Sequence, residues 1–224
     1  MSNVLFNNAL NRVPQKTPPI WFMRQAGRYH SHYQNLKEDY SFEELCKNPE
    51  LAAQTALGPI NDFDFDVSIL FSDILFPLEA LGMDLKYNPG PIFGKFINNS
   101  NYDELKTAEE AVFDLTFQSE ALKITREILP KNKSLIGFVG GPWTVASYGT
   151  GMNKGVNHKG NFKNDFIFKL LTKKIIPLLK RNIELQISSG AEIVMIFDTD
   201  ASRIENKKDF YDYSNLVYCL LYTS

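Results

Sequence analysis

The chain has 224 residues, of which 44% are hydrophobic and 22% are charged, as is ordinary for a globular protein. Its 24 basic side chains against 26 acidic ones give a net charge of −2, which provides no basic stripe for binding nucleic acid. Cys46 and Cys219 lie far apart and imply neither a disulfide framework nor a thiolate metal site. Residues 1–19 lack the apolar core of a signal peptide, and no apolar run approaches the ~18 residues of a membrane span. We therefore expect a cytoplasmic protein without nucleic-acid or membrane partners.

Helix signals dominate the N-terminal part of the chain. Residues 1–19 predict a short helix followed by a proline-rich lead-in. Ser41 and Glu44 have the spacing of a capping box, in which the side chain of each residue bonds to the backbone of the other. Pro49 is typical of a first helical position, and we expect its helix to run to about Leu57.

Three short apolar runs follow, and each stops at polar residues or glycine. By their length and β-branched content they predict buried strands at residues 66–71, 135–139 and 192–197. Long helical stretches are expected at about 103–129 and at about 164–189, the second kinked at Pro177. This alternation indicates a parallel α/β architecture. Weaker strand signals lie around 20–23 and 92–97, so that an open sheet of five strands is an alternative to a closed barrel.

Polar residues follow each of the three runs. Asp73 comes after the first, the segment 140–144 after the second and Asp198–Thr199 after the third. Because ligands of α/β folds collect at the carboxyl ends of parallel strands, we expect these residues to face one shared space. Asp73 is also flanked by apolar residues, where an acid is costly to bury without a partner. It is interpreted either as the N-cap of the next helix or as a carboxylate that faces a cation or N–H donors.

Two arginines stand four residues apart in the sequence Met-Arg-Gln-Ala-Gly-Arg-Tyr, residues 23–29. Arginine keeps its charge near neutral pH, and its planar fork of N–H donors matches carboxylate and phosphate groups. On one helical turn, or on a loop folded at Gly27, Arg24 and Arg28 can reach the same anionic ligand. A pair of surface arginines is the alternative. The apolar lead-in and the intervening glycine favour a ligand-facing pair.

Several familiar motifs are incomplete. The acidic run 62–66 lacks the glycine and glutamate of a calcium loop and predicts a turn that enters a strand. His30 and His32, with His158 far along the chain, do not make up a zinc site. The segment 140–144 is not followed by the Lys-Ser/Thr of a phosphate-binding loop. We therefore expect neither a bound metal nor a nucleotide cofactor.

With these residues collected, the chain resembles the uroporphyrinogen decarboxylase family of the haem pathway. The resemblance extends from about Thr17 to about Phe210. It is carried by the arginine block 24–28, by Ile69–Leu75 around Asp73 and by Gly137–Thr144. The order, separation and neighbours of these stretches all agree with the family, which makes the resemblance specific.

The resemblance implies a (β/α)8 barrel, here a single incomplete domain over residues 1–224 that is truncated on its C-terminal side. Residues from about 211 onward are suspected to be a non-native tail. Asp73 is implied as the catalytic carboxylate within a substrate-binding set made of Arg24, Gln25, Ala26, Gly27, Arg28, Asp73, Tyr148 and Thr199. Residues 30–32 depart from the more usual Leu-Pro-Glu, and a later histidine of the family's site has no counterpart in the sequence.

The implied activity is removal of carbon dioxide from the four acetate side chains of uroporphyrinogen III, which gives coproporphyrinogen III without a metal or organic cofactor. A homodimer is implied for the full-length protein. Two rivals stay open: a methyltransferase of the same barrel superfamily, and a tetrapyrrole-binding protein without catalysis.

Overall fold

A computed structural model describes residues 2–154, 163–204 and 206–222, and His158 lies outside these residues. The described helices are α1 (Val4–Leu10), α2 (Ser31–Asp39), α3 (Phe42–Lys47), α4 (Pro49–Phe63), α5 (Phe76–Ala80), α6 (Ala108–Ala111), α7 (Thr116–Ile128), α8 (Pro142–Gly149), α9 (Asp165–Leu170), α10 (Ile176–Ser188) and α11 (Lys207–Tyr222). The strands are β1 (Val67–Ile69), β2 (Leu85–Tyr87), β3 (Pro91–Phe93), β4 (Ser134–Gly140) and β5 (Ile193–Phe197).

A three-stranded sheet has the order β1-β4-β5. Strands β1 and β4 are parallel, with Val67 opposite Ser134 and Ile69 opposite Ile136. Every residue of these two strands is buried, as expected where helices cover both faces of a parallel sheet. The three predicted strands and the α/β architecture are therefore confirmed, although the third, β5, is half-buried to exposed and not buried as predicted.

The chain divides into two compact units, and strands β4 and β5 each begin in the first and end in the second. The first unit comprises Met1–Asp73, Thr116–Phe138 and Leu185–Met195. The second comprises Ile74–Leu115, Val139–Glu184 and Ile196–Ser224. The single incomplete barrel domain over residues 1–224 stays a prediction.

Helix packing in the first unit rests on small residues of α4. Ala52 and Ala53 are fully buried where α4 packs against α7, whose Leu122 is also fully buried. The short alanine side chains let the two helix backbones approach closely.

Helix α3, which precedes α4, starts at the predicted capping box. Ser41 Oγ accepts from Glu44 N at 3.2 Å, and Glu44 Oε2 accepts from Ser41 N at 2.8 Å.

Helix α4 continues past the predicted end at Leu57 to Phe63. A Cβ atom on Gly58 would lie 2.3 Å from the His32 ring, so this glycine makes room for a packed side chain and does not end the helix. The helix ends at Asp64, which has a left-handed backbone with φ of 55° and donates its N–H to Ile60 O at 3.0 Å. The run 62–66 is thus a helix end that leads into β1, in agreement with the predicted turn.

Of the two weaker strand predictions, the one at 20–23 is wrong and the one at 92–97 is confirmed only for its first residues. Residues 20–23 form no strand, although Ile20 O accepts from Asp66 N at 2.9 Å and Ile20 N donates to Asp66 Oδ2 at 2.8 Å. One backbone bond and one side-chain bond do not make a ladder. The segment 92–97 contributes to β3, which pairs antiparallel with β2 in a separate hairpin. The alternative of an open five-stranded sheet is therefore wrong for the described residues.

The long helical stretches are interrupted at identifiable places. Inside the stretch 103–129, Thr107 starts a new helix because it forms a capping box with Glu110. A 3-10 turn over Val112–Leu115 then separates α6 from α7. The stretch 164–189 stays helical but widens into a π turn over Leu171–Ile175, directly before the region of Pro177. Proline has no N–H for the helical ladder, which accounts for an irregularity at this point.

Helix α11 covers most of the segment that was suspected to be a non-native tail. Its Tyr213 is 2% exposed, and Val217 and Leu221 are also buried.

Among the helices that the structure describes, none combines the length and the apolar character that crossing a membrane would require.

Candidate functional site

The arginine block forms a loop of irregular turns and not a helix. Gln25, at its centre, is 1% exposed. Its Oε1 accepts from Phe22 N at 3.1 Å, and its Nε2 donates to Val67 O at 3.0 Å in a buried bond. The side chain therefore fastens the loop to the first residue of β1. Because both ends of its amide are already bonded to backbone, Gln25 serves to position the loop.

Arg24 and Arg28 are both exposed on this loop. Neither makes an ion pair with a residue in the part of the chain that the structure describes. Ala26 and Gly27, between them, are half-buried, and a Cβ on Gly27 would meet its neighbours at ordinary contact distances of 3.6–3.7 Å. The turn therefore does not depend on a glycine, and it presents two guanidinium groups on one short loop, neither of them in an ion pair with a described residue.

Asp73 is half-buried and lies between β1 and α5. The N-cap of α5 is Leu75, so the interpretation of Asp73 as a helix cap is wrong. The carboxylate lies near Cys46, which is 1% exposed in α3. Burial raises the pKa of the Cys46 thiol well above its usual range, and the negative charge of Asp73 is the next largest cause.

Tyr33 connects the surroundings of Arg28 with those of Asp73. Burial raises the pKa of Tyr33, the nearby Cys46 adds to the rise, and the positive charge of Arg28 opposes it. The Tyr33 ring packs against Phe71, with 5.6 Å between ring centroids, and Phe71 precedes Asp73 by two positions. Arg28 therefore acts on Tyr33 and Asp73 acts on Cys46, and Tyr33 and Cys46 are themselves neighbours in the first unit.

In the second unit, the carboxylate of Asp198 organises the ends of β4 and β5. Its Oδ1 accepts from Thr144 N at 2.9 Å and from Thr144 Oγ1 at 2.7 Å. Gly141 N donates to Phe197 O at 2.8 Å, and a Cβ on Gly141 would lie 2.1 Å from Asp198 Cβ. Only glycine fits there. These contacts bring the segment 140–144 together with Asp198, whereas a space shared with Asp73 and Thr199 stays a prediction.

Tyr213 completes this cluster from helix α11. Its hydroxyl donates to Asp198 Oδ2 and accepts from Trp143 N at 2.8 Å. Burial, followed by the negative charge of Asp198, raises the pKa of Tyr213 well above its ordinary value. The sequence analysis did not identify this residue, because nothing in its local pattern marks it. Two aromatic residues before it and a serine after it are also found on ordinary surface helices.

Tyr148 and Thr199 flank the Asp198 cluster. Tyr148 is half-buried on α8, one helical turn beyond Thr144, and its hydroxyl has no hydrogen-bond partner among the described residues. Thr199 is exposed and starts the 3-10 turn Thr199–Arg203. Its carbonyl accepts from Ser202 Oγ at 2.7 Å. The assignment of these two hydroxyls to ligand binding stays a prediction.

The histidines of the loop region are engaged in protein contacts. His30 Nε2 lies 2.6 Å from Asp62 Oδ2, and His32 Nε2 lies 3.1 Å from Gln54 O. Within residues 2–154, 163–204 and 206–222, no three His, Cys, Asp or Glu side chains are grouped so as to hold a metal ion. A cavity of about 420 Å³ in the second unit, lined by residues such as Asp84, Lys95 and Glu104, contains none of the predicted site residues.

A solved structure resembles the fold. The methyltransferase from Methanosarcina mazei superposes with a TM-score of 0.76 over 96% of this chain and 65% of its own, at 18% sequence identity. At this identity the likeness shows the fold alone, and it agrees with the α/β architecture.

Curated sequences show closer relationships. The chain is 39% identical over 219 residues to the uroporphyrinogen decarboxylase of Campylobacter jejuni subsp. jejuni serotype O:2. The aligned region covers 94% of this chain and 64% of that protein. It is 42% identical over 213 residues to the uroporphyrinogen decarboxylase of Campylobacter hominis, and the aligned region covers 90% of this chain and 62% of that protein. The uroporphyrinogen decarboxylase of Helicobacter hepaticus is 42% identical over 210 residues, which make up 90% of this chain and 61% of that protein. The chain thus spans 61–64% of the length of these curated relatives.

The family comparison covers nearly the whole sequence. Residues 1–218 match the family described as Uroporphyrinogen decarboxylase (URO-D), a range that includes the arginine loop, Asp73, Tyr148, Thr199 and Tyr213. The chain belongs to the uroporphyrinogen decarboxylase family.

Proposed function

We propose that this protein decarboxylates uroporphyrinogen III, converting its four acetate side chains to methyl groups and giving coproporphyrinogen III. The observation that carries the proposal is the pair Arg24 and Arg28. Both guanidiniums are exposed and unpaired within the described chain, on a loop that the buried Gln25 fastens to β1. Such preorganised forks suit a ligand that carries many carboxylates.

Asp73 is proposed as the catalytic carboxylate. Loss of carbon dioxide leaves an electron pair that needs a sink, and protonation of the pyrrole α-carbon beside the acetate group turns the ring into a cation that accepts it. The exocyclic methylene group formed in this way then takes up a proton to become the methyl group, and the α-carbon gives back the proton that it had gained. A fixed anion near this ring stabilises the cation. Removing one such group commonly raises the activation barrier by ~3–4 kcal/mol. The half-buried position of Asp73 supports this role, since a carboxylate acts more strongly where water is partly excluded.

The other predicted residues are assigned to substrate binding. Arg24 and Arg28 hold acetate and propionate arms, and the backbone at Ala26 and Gly27 contacts the ligand. Gln25 contributes by holding the loop, because its amide is already bonded at both ends. Hydroxyl groups of Tyr148 and Thr199 complete the orientation of the substrate. The Tyr148 hydroxyl, which bonds to none of the described residues, supports this assignment.

We further propose that the α/β fold belongs to a (β/α)8 barrel, of which these residues form a part. The share of each relative that the chain covers, 61–64%, supports this view. In the full-length protein we propose a cytoplasmic homodimer. We propose that no metal or organic cofactor takes part, because the protonated substrate ring itself accepts the electrons.

Porphyrinogen turnover tests the proposal. Uroporphyrinogen III, prepared by reduction of uroporphyrin III, is incubated with the chain and the products are oxidised and separated by carboxylate number. We expect activity in a chimera that continues this chain with the C-terminal part of the Campylobacter hominis relative, and none in the 224 residues alone. A correctly folded chimera that releases no carbon dioxide, beside an active parent enzyme from Campylobacter hominis, would refute the proposed function.

A further inference from the structure

A buried histidine stands two positions beyond Arg28. The side chain of His30 is 2% exposed, and its Nε2 lies 2.6 Å from Asp62 Oδ2 in the last turn of α4. A carboxylate accepts hydrogen bonds but does not donate them, so Nε2 carries the proton. The ring also packs against Phe63, with 5.2 Å between centroids.

Two features show that this bond is not incidental. Asp62 is an acid in the last turn of α4, where the helix dipole disfavours negative charge, and that turn holds no basic residue. The Nδ1 atom of His30 is buried without a hydrogen-bond partner in the described chain. The bond to Asp62 is therefore the one hydrogen bond of the buried His30 ring among the described residues, and it offsets the unfavourable place of Asp62 at the end of the helix.

The bond fixes the end of the arginine loop. His30 N donates to Gly27 O at 2.9 Å, which closes the turn that contains Arg28. From the other side, Gln34 Nε2 donates to Arg28 O at 2.6 Å. The backbone of Arg28 thus lies inside a turn whose last residue is bonded to α4, while its guanidinium stays exposed.

We propose that His30 and Asp62 form an anchor that positions Arg28 for its carboxylate ligand. Neither residue touches the ligand. The anchor acts by keeping the turn closed, so that the guanidinium is held ready before binding occurs. The part of this inference that concerns the ligand rests on the proposed function, whereas the anchor itself does not.

Trypsin cleavage after Arg28 measures opening of the loop in the 224-residue chain, because a protease needs a locally unfolded segment. Asp62→Ala removes the acceptor, and His30→Phe keeps an aromatic ring but removes the donor. We expect each to accelerate cleavage of the Arg28–Tyr29 bond roughly tenfold relative to cleavage after Arg203, in keeping with loss of one charge-assisted bond. Asp62→Asn, which retains an accepting oxygen, should restore most of the protection.

The matched control is Asn61→Ala, an exposed position on the same helical turn. It should leave the cleavage rate unchanged. Urea unfolding of each variant separates loop opening from global destabilisation. Equal cleavage rates for the wild type, Asp62→Ala and His30→Phe would overturn the anchor.

Binding of uroporphyrin III, followed by its fluorescence, tests the positioning of Arg28. We expect roughly tenfold weaker binding by Asp62→Ala and wild-type binding by Asn61→Ala and Asp62→Asn. If Asp62→Ala is cleaved faster after Arg28 but binds uroporphyrin III as tightly as the wild type, the anchor does not position Arg28 for its ligand. These binding measurements use the chimera with the C-terminal part of the Campylobacter hominis relative. A chimera that binds no porphyrin would refute the proposed function, and with it the positioning role, while the cleavage rates of the 224-residue chain would still decide whether the anchor exists.

Discussion

At the scale of single residues, charge and exposure separate the proposed roles. Arg24 and Arg28 are exposed cations without ion pairs in the described chain, and Gln25 between them is buried and fully bonded. Asp73 is half-buried beside the buried Cys46, whose thiol pKa it helps to raise. The two arginines are thus proposed to bind the ligand, Gln25 to attach the loop and Asp73 to stabilise the ring cation. Because each role belongs to a different side chain, mutations can test the roles separately.

Removal of the Asp73 charge is expected to slow the chemical step. Asp73→Asn keeps the size and polarity of the side chain but loses the anion that stabilises the ring cation. We expect kcat in the active chimera to fall by roughly two to three orders of magnitude. The unfolding midpoint in urea serves as the control for folding. Unchanged turnover would show that the carboxylate charge does not stabilise the transition state.

The geometry of the arginine fork is tested by Arg28→Lys. Lysine keeps the positive charge but presents a point donor in place of a planar fork, so a bidentate bond to carboxylate is lost. We expect the Kd for uroporphyrin III to rise roughly tenfold. The same exchange at Arg12, an exposed arginine outside the loop, should leave binding unchanged. Equal affinity of Arg28→Lys and wild type would contradict a bidentate role.

At the scale of elements, the Asp198 cluster joins α8, the end of β5 and α11. The start of α8 is bonded to Asp198 through Thr144, and α11 is bonded to it through Tyr213. Tyr148 on α8 and Thr199 after β5 are held by this cluster within the second unit. A structural carboxylate therefore determines where two proposed ligand-binding hydroxyls lie.

Loss of the Tyr213 hydroxyl is expected to destabilise the second unit. Tyr213→Phe leaves Trp143 N and one oxygen of Asp198 without this partner in a buried place, a defect of ~1–3 kcal/mol. Urea unfolding measures the difference. Tyr211→Phe is the matched control, because Tyr211 is 54% exposed on the same helix. Equal losses in both variants would show that the buried hydroxyl has no special role.

The same hydroxyl predicts a pH dependence of stability. The pKa of Tyr213 is raised in the folded chain from the ordinary value of 10.0. The folded state therefore keeps a proton that the unfolded state releases, so this contribution to stability is present below pH 10 and is lost as the pH rises above it. We expect the unfolding free energy of wild type to fall more steeply above pH 10 than that of Tyr213→Phe. Parallel curves would contradict the raised pKa.

At the scale of the whole molecule, β5 is an outer strand with the composition of a central one. All its residues, Ile193–Phe197, are apolar, as in strands covered on both faces. In the described sheet it nevertheless lies at the end of the order β1-β4-β5, and Ile196 is 40% exposed. An apolar outer strand is a site for association with other chains.

The 224-residue chain by itself is therefore expected to self-associate, as measured by light scattering at increasing concentration. Ile196→Lys places a charge on the strand and should reduce association. Ile187→Lys is the control, since Ile187 is 53% exposed on α10 and not on a strand. A wild-type chain that stays monomeric, unfolds cooperatively and decarboxylates uroporphyrinogen would contradict both the exposed edge and the expected inactivity.

The sequence by itself determined the features that arise from neighbouring residues. The places of the three strands follow from short apolar runs, and the start of α3 follows from the spacing of Ser41 and Glu44. The loop with Arg24 and Arg28 and the place of Asp73 after β1 were also identified from local pattern. Each depends on interactions within a few positions, which a linear pattern records.

Tertiary structure alone decided what depends on distant partners. Gln25 is buried because Val67 O lies within its reach, His30 is bonded to a helix far along the chain, and α4 passes Gly58 because a ring packs there. Tyr213 belongs to the site region through Asp198 and not through its own neighbours. Such bonds form when folding brings separate segments together, and no periodicity or spacing along the chain encodes which segments will meet.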